Sequence, residues 1–191
     1  SIELGKGDKS AARKTFSLAF YTLIIITLTL SVFTVIFAPT IAKILGANKE
    51  LVPLVVEYLV SLCLFLATFV GSSYLSSGLR VMGKPNHAMV ADIISSILNI
   101  VLDYIFIVKI GLGLAGAGLA SGIAFTIGFL FALSQYLKKD SILKFCKIKF
   151  DFKKIIRIFY NGSSEGITQF AVAFSTYIFN IVLMIRIGEI G

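Results

Sequence analysis

Asp92, Ser95, Ser96, Asn99 and Asp103 interrupt an otherwise apolar run, Ala88–Val108, of this 191-residue chain. At about 100° per residue these five side chains fall within an arc of roughly 100° on a helix, with Ile, Leu and Val opposite. Carboxylate, carboxamide and hydroxyl oxygens on one face make a donor set for a hard cation, and a carboxylate in a dry setting can instead carry a proton. The run is long enough to cross a bilayer, where an aspartate near the middle of a helix costs about 2.5–3.5 kcal/mol. Two such residues facing lipid would cost roughly 5 kcal/mol, so the stripe must face a protein interior or a wet cavity. It reads as the lining of a transport path.

The elements that must carry this stripe are legible from hydropathy. Hydrophobic residues make up 57% of the chain, and mean hydropathy is +0.93. A soluble domain of this size needs far more polar surface. Five spans of about 20 residues are expected: Phe16–Ala38, Leu51–Ser77, Ala88–Val108, Leu114–Leu137 and Gly162–Ile187. Runs so long and continuous mean helices rather than barrel strands, because lipid forces the backbone to satisfy itself. The fold class is therefore all-α, a polytopic membrane helix bundle. Residues 1–15 read as a loop entering the first helix, with Asp8 and Ser10 as candidate caps, and Pro39 is expected to end that helix.

The net charge of +8 raises the question of nucleic acid, but its placement answers it differently. Lys6, Lys9, Arg13, Lys14, Arg80, Lys84 and eight residues between Lys138 and Arg157 fall on one side of the membrane. Only Lys43, Lys49, Lys109 and Arg186 fall on the other. The positive-inside rule then puts the N-terminus of the segment in the cytoplasm and the C-terminus outside. No nucleic-acid partner is expected. Cys63 and Cys146 fall in a span and a loop, with no disulfide or zinc pattern. The missing initiator Met and the odd number of spans point to a piece of a larger protein.

Lys138–Tyr160 is the long connection, dividing four helices from one. Its Phe152–Phe159 stretch suits an amphipathic helix on the inner leaflet, or equally a solvated topogenic loop. The domain reading is 1–137 for the first four helices, 138–160 for a basic linker and 161–191 for the first helix of a second lobe.

Polar stripes recur on two other spans. Glu57, Ser61, Thr68 and Ser72 share an arc of about 60° on the second, and Glu165, Gln169, Thr176 and Asn180 do so on the fifth. Hydroxyls alone commonly bond their own helix, Glu57 suits the outer interface, and Glu165 suits a helix N-terminal dipole. The fourth span carries Gly118 and Gly122 in a Gly-xxx-Gly pair, a smooth face expected to press on the striped third span. Two glycine motifs are false friends. Gly78–Pro85 nearly spells a phosphate-binding loop, but Pro stands where Ser or Thr is needed. Gly111-x-Gly113-x-x-Gly116 follows a helix-length run rather than a strand, so no nucleotide is expected to bind.

Taken in order, these residues resemble a family. Gly5-x-Gly-Asp8, then Gly78-Leu-Arg80-x-x-Gly83-x-Pro85-x-x-Ala88, Asn99-Ile-x-x-Asp103 and Gly113-x-x-Gly116-Ala-Gly-Leu-Ala-Ser121 are similar to the multidrug and toxic compound extrusion (MATE) transporters. The resemblance implies twelve helices in two six-helix lobes, of which this chain would supply the third to seventh. It implies antiport of Na⁺ or H⁺ against bulky cationic or amphipathic drugs in a plasma membrane, bacterial by expectation. The protein would thus be a transporter and not an enzyme, with no cofactor. Its partners would be the bilayer, the substrate and the remaining helices of the parent protein. On the residues, the resemblance implies a coupling site at Asn99, Asp103 and Ser121, completed by an aspartate of a helix outside this segment. Glu165 lies near a region where some second lobes carry an acidic coupling residue.

The residues support this carry-over, since Asn99 and Asp103 are one helical turn apart and can address one pocket. Asp92, Ser96, Glu165, Gln169, Thr176 and Asn180 are candidates for the substrate path, with Asp92 open as a relay, a gate or a packing residue. Two alternatives stand beside antiport: a flippase for lipid-linked oligosaccharide or lipid from the same superfamily, and a membrane scaffold built on Gly118 and Gly122.

Overall fold

The computed structural model describes residues 2–138, 140–148 and 150–187, with the side chains of Ile2, Ser164, Glu165 and 184–187 left out. All regular structure among the described residues is helical. The chain forms two compact units, Ser1–Ile148 and Lys149–Gly191.

The first unit opens with a single turn, α1 (Ile2–Gly5), and then α2 (Lys9–Ile44). Asp8 caps α2, its Oδ1 accepting from the Ala11 amide at 2.9 Å. Helix thus begins at Lys9, inside the stretch expected to be loop, because the cap starts the helix and Lys and Arg tolerate it well. It also runs through Pro39 to Ile44, where a terminus was expected. At 36 residues it is about 54 Å long, well beyond the hydrocarbon core. Helices in membranes accommodate a proline when neighbouring groups and local adjustments satisfy the freed backbone.

The second span is broken rather than continuous. It consists of α3 (Leu51–Cys63) and α4 (Leu66–Val81), bent by 51°. Neither Gly nor Pro stands at Leu64–Phe65. The cause lies across the bundle. Gly122 has no Cβ, and the Phe65 ring occupies the space a Cβ would need. At the break Ser31 Oγ donates to Cys63 O at 3.0 Å, while Phe65 O accepts both the Phe69 amide at 3.0 Å and Thr68 Oγ1 at 2.8 Å. Bonded to Ser31, the Cys63 carbonyl avoids the cost of an unsatisfied buried acceptor.

Gly83, at φ 74°, turns α4 into α5 (Pro85–Asp103), whose first position is a proline, a favoured N1 residue. A π-helical turn (Tyr104–Lys109) extends α5 directly from Asp103. Gly111, at φ 79°, then closes the hairpin to α6 (Gly113–Leu137). Each glycine motif therefore straddles a turn and the helix end beside it.

In lipid, helices associate through close packing rather than hydrophobic burial, which places the weight on small residues. An ideal Cβ on Gly118 would lie 2.7 Å from Ser61 Cβ and 3.2 Å from Tyr58 O, so α6 rests backbone-first on α3. A Cβ on Gly128 would meet Ser95 and the Ala91 carbonyl, so α6 rests on α5 there. The fourth span thus presses on the striped helix as expected, but through Gly128, while Gly118 faces α3 and Gly122 faces Phe65 at the break. At one end of the bundle Phe16, Tyr74, Leu75, Leu79 and Tyr136 form the core, with Tyr136 Oη donating to Leu75 O at 2.6 Å.

The second unit contains α7 (Phe152–Ile187). The amphipathic stretch 152–159 is its first two turns and not a separate helix, because the helix passes without interruption through Gly162. Asp151 Oδ1 accepts from the Lys154 amide at 3.2 Å and caps its start.

Candidate cation-coupling site

The stripe on α5 divides into two halves with different chemistry. Toward the start of the helix, both Asp92 oxygens are taken by α4. Ser76 Oγ donates to Oδ1 at 2.9 Å, and Arg80 Nη2 donates to Oδ2 at 2.7 Å. Ser76 and Arg80 lie one turn apart, and the short turn through Gly83 makes α4 and α5 antiparallel neighbours. That hairpin was the sequence signal for the pairing, and it was missed. Ser95 is fully buried against Gly128 and donates to Ala91 O at 3.0 Å. Ser96 is exposed and donates to Asp92 O at 2.9 Å. These two hydroxyls are spent on their own helix.

The other half is open. Asn99 Nδ2 donates across to Ser121 Oγ on α6 at 3.0 Å. This bond uses the donor side of the amide and orients its carbonyl oxygen. One turn on, Asp103 Oδ1 is buried with no hydrogen-bond partner among the described residues. A buried carboxylate oxygen without a donor is costly unless a cation or a proton meets it. Asn99 and Asp103 thus lie one turn apart on α5, the first bonded to Ser121 and the second with one buried oxygen that no described donor meets. The oxygens are hard, as Na⁺ requires, and a single carboxylate suits a monovalent charge. The π-helical turn begins at the residue after Asp103, and such departures from α geometry frequently accompany functional sites.

The stripe of the second span survives its break. Ser61 is buried against Gly118, Ser72 is buried, and the Thr68 and Thr126 hydroxyls pair at 2.8 Å, while Glu57 is exposed. This seam and the Ser31–Cys63 bond were not foreseen, since nothing local marks a partner two helices away. On α7, Gln169, Thr176 and Asn180 are exposed, and Thr176 Oγ1 donates to Val172 O at 3.0 Å. The Glu165 side chain lies outside the described residues.

Together, these long apolar helices define a multi-pass membrane protein. The MatE family profile matches residues 1–105, more than half of the chain, and the chain belongs to that family. It is 30% identical over 140 residues to "Multidrug export protein MepA" of Staphylococcus aureus (strain NCTC 8325 / PS 47), covering 73% of this chain and 31% of that protein. The protein of the same name in Staphylococcus haemolyticus (strain JCSC1435) is 30% identical over 142 residues, covering 74% and 31%. The chain thus spans about a third of the length of these relatives. Among solved structures, it is similar to the inward-facing conformation of a multidrug resistance MATE family transporter of the MOP superfamily. That match has a TM-score of 0.85 and 25% identity over 95% of this chain and 42% of the other. The outward-facing conformation matches with a TM-score of 0.86 and 25% identity, over 98% and 42%.

Proposed function

We propose that the chain is the third to seventh helices of a secondary active exporter of drugs or other organic cations, driven by Na⁺ or H⁺ in exchange. The observation that carries this reading is the buried Asp103 Oδ1, without a hydrogen-bond partner among the described residues, one turn from an Asn99 amide held by Ser121. Coupling requires that cation and substrate prefer different conformations. A cation arriving at Asp103 supplies the missing partner and changes how α5 seats against its neighbours. That change favours the state which releases substrate. The names of the staphylococcal relatives support multidrug export as the activity of the whole protein. The inward-facing and outward-facing structures match this segment equally well, which supports a lobe that keeps its internal packing while the transporter changes state. The excess of Lys and Arg at the N-terminus, in the turn at Gly83 and between Lys138 and Arg157 supports a cytoplasmic location for all three.

The test is dye efflux from everted vesicles carrying the full-length parent protein, under imposed Na⁺ or H⁺ gradients. Gradient-driven export that disappears in Asp103→Asn at matched expression is the expected result, and it names the ion. Unchanged export in that variant refutes the role of Asp103. Absence of export under either gradient refutes antiport and directs the next assay to a labelled lipid.

A further inference from the structure

The connection after α6 carries Lys138, Lys139, Lys144, Lys147 and Lys149, a composition that suggests a loose, solvated tether. Its structure is different. Leu143 is only 4% exposed. The Phe145 ring lies 4.9 Å from Phe20 and 5.6 Å from Phe16, centroid to centroid, inside an aromatic cluster that also holds Tyr136. Arg13 Nε donates to Ile142 O at 2.8 Å, and the Cys146 amide donates to Ser17 Oγ at 3.1 Å. The Leu143 amide and the Ser141 hydroxyl point at the Met82 sulfur, at 3.3 and 3.6 Å. Lys84 Nζ lies 3.5 Å from Asp140, whose carboxyl is held below the usual range by its own backbone amide and by Lys84. Residues 140–146 are thus fastened to α2, to the turn after α4 and to α6, by main-chain bonds as well as packing.

We propose that residues 140–146 are a strap that remains seated on the first four spans throughout the transport cycle. Any reorientation between the two halves of the parent protein is then absorbed after Cys146, and not along the whole basic connection. This inference rests on the transport reading above. Lifting the strap would strip Leu143 and Phe145 of their neighbours and leave the Ile142 carbonyl and Cys146 amide unpaired. A hinge confined to a few residues permits rocking of one half against the other while forbidding wide separation.

Ser17 Oγ lies 3.6 Å from Cys146 Sγ, which supplies the experiment. In the intact parent protein, Ser17→Cys sets a second thiol against Cys146, near enough for a disulfide after small rotamer changes. The expected result is a disulfide formed by mild oxidant, identified by peptide mass spectrometry, with dye export within about twofold of the same protein reduced. A disulfide that does not form overturns the proposal, as does one that abolishes export until reductant restores it. Because Ser17 is fully buried, a second measurement uses the native residues. Alkylation of Cys146 by a membrane-permeant maleimide, followed on its own peptide, is expected to be equally slow at rest and during turnover. Acceleration under a gradient overturns the proposal. If the wild-type parent exports no dye at all, the transport reading fails by itself, and disulfide yield still decides whether the strap is seated.

Discussion

Ser121→Ala removes the acceptor of the Asn99 amide without touching Asp103, and so isolates what the bond between α5 and α6 contributes. The bond is 3.0 Å long and half-buried. Interhelical side-chain hydrogen bonds in membranes contribute about 0.6–1.7 kcal/mol, a factor of about 3–20 in an equilibrium constant. If this bond holds the Asn99 carbonyl toward the cation, the loss is read as cation affinity. The assay is the half-saturating Na⁺ or H⁺ concentration for dye export by the full-length parent protein, measured for Ser121→Ala, Asn99→Ala and the pair. Each single change is expected to raise that concentration, Ser121→Ala by the factor above, and the double variant to be no worse than Asn99→Ala. Ser121→Thr keeps the hydroxyl and is expected to behave as wild type. Strictly additive effects would refute the reasoning, because independent sites add and residues acting through one bond do not. A Ser121→Ala protein with unchanged cation dependence would refute it as well.

Gly118→Ala puts a methyl 2.7 Å from Ser61 Cβ and 3.2 Å from the Tyr58 carbonyl. The backbone at Tyr58 cannot turn aside, so a loss of about 1–3 kcal/mol is expected, read as a lower thermal midpoint in detergent. A midpoint equal to wild type would mean that α6 does not rest on α3 as described. Arg80 and Asp92 are both about half exposed, so Arg80→Ala is expected to change stability by only about 0–1 kcal/mol in the same assay. Asp92→Asn is expected to leave dye export intact, since both carboxylate oxygens already serve α4. Loss of export with unchanged stability would put Asp92 on the substrate path instead.

How far the sequence reaches can be seen in single residues. Asp8 reads as a cap and is one, because an Asx cap bonds an amide three positions away. Gly83 and Gly111 read as turns and adopt left-handed φ, a conformation that L side chains resist. Pro39 reads as a terminus and is not one, because the rule against helix-interior proline weakens in a membrane bundle. The break at Leu64–Phe65 has no local mark at all. It exists because Phe65 fills the hollow at Gly122, more than fifty positions later, and because Ser31 satisfies the Cys63 carbonyl beside it.

The α5 stripe shows the same division. Periodicity alone placed Asp92, Ser95, Ser96, Asn99 and Asp103 on one face, since side-chain direction on a helix is set by rotation per residue. It could not rank them. Membrane residence and the approximate spans followed from composition, because transfer into lipid is a sum of terms each residue carries with it. Which carboxylate is occupied and which is open depends on donors brought from other helices: Ser76 and Arg80 reach Asp92, and nothing among the described residues reaches Asp103 Oδ1. That distinction belongs to the tertiary structure, because a hydrogen bond is decided by distance and direction between groups that the chain order leaves far apart.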